Sequence, residues 1–150
     1  MSLSLFLHVI SVVVWVGGMF FAWMALRPVA ASVLEPPQRL TLWAGVFDKF
    51  FPWVWISVAL ILLTGLHMLM LLGGAAAPLH ALSMLVLGVV MMLIFGHVYF
   101  SPYKKLKRAV AEQNWQAGGA ALGLIRKLIG INLTIGLVTI AVVFLGRAFG

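Results

Sequence analysis

The sequence predicts an all-α fold: an integral membrane four-helix bundle carrying short amphipathic cytoplasmic helices. Three observations carry that reading. Of 150 residues, 64% are hydrophobic and only 9% are charged, more apolar surface than a soluble domain can hide. Four apolar stretches fall in the length range of membrane-spanning helices, and the first, ~36 Å long at ~1.5 Å rise per residue, exceeds a bilayer core of about 30 Å. The ten Lys and Arg residues fall almost entirely in two of the three connections between those stretches. Residues 1–150 read as one domain, with no internal repeat and no low-complexity segment.

The first span is expected over 3–26 and is uncharged throughout. It lacks a basic n-region, and its apolar run is too long for a signal peptide, so it reads as a retained helix. His8 and Trp15 are two turns apart on nearly one face of that helix. Gly17-Gly18 would let a flat group or another backbone come close. Pro36-Pro37 then breaks the chain. Residues 38–47 read as an amphipathic helix with Leu40, Trp43, Ala44 and Phe47 on one side, lying in the interface or running into the second span at 50–72. Pro52 is expected near the start of that span, where a missing N–H is tolerated. Gly73 to Pro78 is a short uncharged link that makes the second and third spans antiparallel neighbours. The third span, 79–100, ends at Ser101-Pro102. Lys104, Lys105, Lys107 and Arg108 follow on a surface helix. Asn114 suits the N-cap of a helix that starts at Trp115 and leads toward the fourth span at 128–145.

Charge orients the bundle. Arg27, Arg39 and Lys49 lie in the first connection; Lys104, Lys105, Lys107, Arg108, Arg126 and Lys127 lie in the third. The positive-inside rule puts both connections in the cytoplasm and both termini in the periplasm of a bacterial inner (plasma) membrane. The net charge of +7 therefore flanks the spans, which argues against a nucleic-acid partner and for the lipid bilayer. Cysteine is absent, which excludes disulfides, thiolate metal sites and a catalytic thiol.

The predicted topology converts position into depth. His8 and His67 each lie ~7 Å below the outer end of their spans. His80 lies close to the outer start of the third. An imidazole in hydrocarbon is costly unless partnered, and imidazoles in a bundle core commonly hold a haem iron or a metal. The matched depth of His8 and His67 suits two axial ligands of one haem b. Trp15 would pack near the porphyrin, Gly17, Gly18 and Gly65 would leave room, and His80 could replace either ligand. The alternative is copper, held by His8, His67 and His80 with help from Met68, Met70 or Met84, because soft thioether and imidazole ligands select Cu(I). A third reading is a non-catalytic membrane subunit whose histidines only fasten helices together. His97 lies ~25 Å along the helix from His80, near the inner surface. There it is expected to hydrogen-bond Asn132, either as an interhelical bond that fixes packing, or in a second cofactor-binding site for redox or proton handling, or in a site for anionic carboxylates beside Arg27 and Arg126. No span carries an acidic residue, so a carboxylate proton relay is excluded.

The run His8-Val9-Ile10-Ser11-Val12-Val13-Val14-Trp15-Val16-Gly17-Gly18-Met19-Phe20 resembles the first helix of the copper resistance protein D (CopD) domain. It is also similar to the first helix of the HemJ-type protoporphyrinogen oxidases. The likeness continues in Phe51-Pro52-Trp53, Thr64-Gly65-Leu66, Pro78-Leu79-His80, the segment from His97 to Tyr103, and Arg126 with Asn132 and Gly136. It implies a four-helix membrane bundle. For the oxidase relatives it implies b-type haem and electron removal from a porphyrinogen, with His8, Trp15 and His97 matching their important residues. The lysine those oxidases carry early in the third helix is replaced here by Ala81-Leu82-Ser83-Met84, which argues against porphyrinogen oxidation. For the copper relatives it implies copper handling at or across the inner membrane. The leading expectation is thus a haem b redox protein passing electrons between a periplasmic or membrane-soluble partner and the quinone pool. Copper binding or import is the alternative. A second copy, in a homodimer, would help so small a bundle enclose a haem.

Overall fold

The computed structural model describes residues 2–149. Among them there is no strand, and four helical segments are long and apolar enough to cross a membrane. Helix α1 (Ser2–Phe21) continues through a π-helical turn (Ala22–Leu26) into α2 (Arg27–Val33). Helices α3 (Pro36–Leu71), α4 (Leu79–Phe100), α5 (Pro102–Ala111) and α6 (Trp115–Phe149) follow. The third expected span matches α4 residue for residue.

Of the two readings of residues 38–47, the one that runs into the second span holds, and the helix from Trp115 continues into the fourth: both segments are the first turns of α3 and α6. At 36 and 35 residues these helices outrun a bilayer core of about 30 Å by some four turns. Pro52 consequently lies inside α3 rather than at its start. It removes one ladder bond, and the helix on both sides of it is pinned by buried Phe51 and Val54. Only α2 and α5 remain short. Helix α5 buries Tyr103, Leu106 and Ala109 on one face and exposes its lysines.

Local signals explain the ends. Glu35 precedes Pro36 and is held extended (φ −69°, ψ 158°), as a residue before proline must be. Gly73 takes φ +108° after α3, a left-handed position that a side chain would strain. Asn114 Oδ1 accepts the Ala117 N–H at 3.2 Å and caps α6 as expected.

Helix α1 packs chiefly on α3, and α4 and α5 pack on α6. The second and third spans are neighbours, but not the closest pair. They are linked by edge-on aromatic contacts of Phe51 and Trp55 with Phe95, at 5.3 and 4.9 Å between centroids. The main apolar cluster, including Trp43, Phe47, Phe51, Phe95, Leu106 and Ile125, lies toward the end of the bundle that carries the basic connections, here the basic end. There the extensions of α3 and α6, together with α2 and α5, supply extra helix to pack. The opposite end, with the start of α1 and the turn at 73–78, is here the far end.

Candidate functional site

The polar side chains buried toward the far end follow one seam between α1 and α3. Helix α1 buries His8, Ser11, Trp15, Val16 and Met19, the spacing of a single helical face. This places His8 and Trp15 together as their spacing predicts. Helix α3 answers with buried Ser57, Thr64 and Met68. Two crossed hydrogen bonds close the seam. His8 Nδ1 lies 3.0 Å from Thr64 Oγ1, and one turn nearer the far end His67 Nδ1 lies 2.9 Å from Ser4 Oγ.

The first of these bonds defines a tautomer. The Thr64 hydroxyl donates its proton to the Leu60 carbonyl at 2.5 Å. Its oxygen can then only accept from His8, so Nδ1 of a neutral His8 carries the hydrogen and Nε2 keeps its lone pair. An imidazole oriented through one nitrogen with the other free is the arrangement by which proteins aim histidine at a metal. Gly65 faces the ring: a Cβ there would stand in ordinary contact with it, 3.4 Å away. Ser4 is absent from the expectations drawn from the sequence, and Thr64 enters them only within the Thr64-Gly65-Leu66 likeness, without a role. The available signal was a hydroxyl residue one turn before each histidine, four positions ahead of His8 and three ahead of His67.

Other expected site residues lie elsewhere. His67 is at the exposed rim of the seam, with Met68 buried beside it and Met70 exposed. His80 belongs to a different seam, where its side chain backs onto Gly146 of α6. Among the described residues no three His, Asp or Glu side chains group as a metal site. The trio His8, His67 and His80 is therefore not assembled, because α4 packs on α6 rather than on α1. Nor do His8 and His67 face each other across a slot. They are successive rungs of one closed seam, and the Gly65 backbone lies against the His8 ring. Two cavities, of about 290 and 20 Å³, involve neither histidine. This geometry does not fit a porphyrin held between the two rings. Trp15 is 3% exposed and lies edge-on to Phe95, 6.2 Å between centroids; it is core.

At the basic end His97 is exposed and does not meet Asn132. The buried Asn132 instead donates from Nδ2 to the Met91 carbonyl at 3.1 Å, and its Oδ1 has no partner. The expected His97–Asn132 bond fails because the two point to different sides of α4: Met91 and Phe95 face inward, His97 outward. Arg27 and Arg126 do share a cavity, joined by Arg39 and not by His97.

No curated protein and no solved structure matches the chain. The sequence profile of one family, copper resistance protein D, matches residues 44–145, from within α3 to within α6. Helix α1, with Ser4, His8 and Trp15, precedes the matched segment, and the likeness to HemJ-type oxidases rests on motifs alone. Because the match spans more than half of the chain and takes in most of three of the four long apolar helices of a multi-pass membrane protein, the chain belongs to the copper resistance protein D (CopD) family.

Proposed function

We propose that the chain handles copper, taking Cu(I) as its cargo at the far end of the α1/α3 seam. The imidazoles of His8 and His67 are the donors, and the buried Met68 thioether is the nearest soft side chain in sequence to His67. The observation that carries this reading is the orientation of His8 by Thr64: Nδ1 lies 3.0 Å from Thr64 Oγ1, whose own proton goes to the Leu60 carbonyl. Soft and borderline donors without a carboxylate suit Cu(I) over harder cations. The family supports copper as the metal. The basic connections support a cytoplasmic basic end and, with it, a copper seam on the periplasmic side of the inner membrane. Haem b and electron transfer to quinone are the weaker reading, since the two rings do not flank an open slot.

The test is competition for Cu(I) between the purified protein in detergent and a chromogenic chelator. The wild type is expected to hold copper, and the His8→Ala/His67→Ala double variant to lose it at matched folding. Thr64→Val, which deletes only the orienting hydroxyl, is expected to weaken binding about 10–100-fold. Wild-type affinity in the double variant would reject the proposal and leave the histidines as helix fasteners. An intense Soret band in the wild type, lost in the same variant, would restore haem.

A further inference from the structure

The larger cavity, about 290 Å³, opens at the basic end between the π-helical turn with α2, the first turns of α3, and the first turns of α6. Arg27, Arg39 and Arg126 line it, with Trp23, Trp43 and Trp115. Among the described residues the one salt bridge joins Lys107 to Asp48 at 3.0 Å, and neither of those residues lines this cavity. Three arginines thus line one cavity, and no Asp or Glu lines it with them.

Two of the three are held in place by the fold. Pro28 has no N–H, and the Arg27 N–H bonds Ala22 in the π-helical turn. The Trp23 carbonyl is left without a ladder donor. The Nε of Arg27 donates to it at 3.2 Å, and the guanidinium lies 4.3 Å over the Trp23 ring. Both terminal nitrogens of that fork stay available. Trp23 is itself backed by Gly130, where a Cβ would stand 3.0 Å from its ring. Arg39 donates from Nη2 to the Leu34 carbonyl at 3.1 Å at the end of α2, while its Nε is buried with no partner. The α6 wall is Gly119 and Gly123, one turn apart, with nothing within 4 Å of either added Cβ.

We propose that this cavity is a binding site for the phosphodiester headgroup of an anionic phospholipid. The cavity sits where the apolar spans end, at the depth of lipid phosphates. Its volume is at the low end of small-molecule pockets, which run roughly 300–1,000 Å³, so it takes a headgroup rather than a whole large cofactor. Planar guanidiniums match phosphate oxygens in pairs, tryptophan favours the interface, and basic pockets between spans on the cytoplasmic side take anionic headgroups. The apolar floor of Leu40, Phe47 and Ile129 suits the glycerol end and the first methylenes. This site is independent of the copper seam.

Native mass spectrometry of the intact protein, offered phosphatidylglycerol and phosphatidylcholine in equal amounts, reads the preference directly. The wild type is expected to retain phosphatidylglycerol in clear excess. Arg27→Gln and Arg126→Gln should each lower that ratio about fivefold. Gly123→Leu keeps every charge, starts from a Cβ that would meet nothing within 4 Å, fills the cavity, and should bring the ratio to parity. Lys104→Gln/Lys105→Gln removes exposed charge outside the cavity and should leave the ratio unchanged. Equal retention of the two lipids by the wild type overturns the proposal. So does loss of preference in the lysine variant, which would mean diffuse surface attraction, or displacement of the lipid by millimolar inorganic phosphate, which would mean a free-anion site.

Discussion

Gly18→Ala lowers the stability of the bundle by about 1–3 kcal/mol, the usual cost of overpacking, while Gly17→Ala leaves it unchanged or slightly raised. The two glycines are adjacent and look equivalent in the sequence. In the fold, a Cβ on Gly18 would overlap the Phe50 ring of α3, whereas one on Gly17 would meet nothing within 4 Å. Phe50 is half-buried beside Phe51, at 6.3 Å between centroids, and the free space next to it is a cavity of only about 20 Å³. Relief comes from turning that ring off its present packing or from parting α1 and α3, and the second also stretches the His8–Thr64 bond. Thermal midpoints by fluorescence-detected size exclusion in one detergent read the pair; equal midpoints for the two variants would contradict the packing assigned to Gly18.

Phe51→Ala has the other large effect, a loss on the order of 2–3 kcal/mol, at the low end of phenylalanine truncations in soluble cores. Phe51 is 2% exposed. It stacks on Phe47 at 4.9 Å and meets Tyr103 and Phe95 edge-on at 4.8 and 5.3 Å, so one ring joins α3, α4 and α5. Against lipid the transfer part of the usual cost largely disappears, because acyl chains are as apolar as the core. What is lost is close packing and the cavity left behind. The comparison variant is Trp53→Ala, whose side chain is 61% exposed and should cost little. Similar losses at both positions, measured by the same assay, would show that the aromatic joint is not what holds the three helices.

Much of this architecture is legible in the residues. Hydropathy summed over a window needs no knowledge of neighbours, so Leu79–Phe100 is found with its ends in place. Asn114 caps α6 because its carboxamide meets an N–H three residues on, a wholly local event. The inward face of α1 follows from the spacing of His8, Ser11 and Trp15. Pro52 misleads for a related reason: a local rule against proline inside a helix is overruled by tertiary packing on both sides of it.

By itself the sequence determined an apolar chain that must cross a membrane four times, with its cations gathered at one end and three histidines near the other. Only the tertiary structure decided which of these meet. That His8 finds Thr64, that His80 turns to Gly146, that His97 faces away from Asn132, and that Arg39 joins Arg27 and Arg126 all depend on how each helix is rotated about its own axis. That rotation is set by close contacts such as Gly18 on Phe50 and Gly136 between Val16 and Met91. In a lipid solvent, where burial alone barely discriminates one face from another, such contacts have no counterpart in a hydropathy profile.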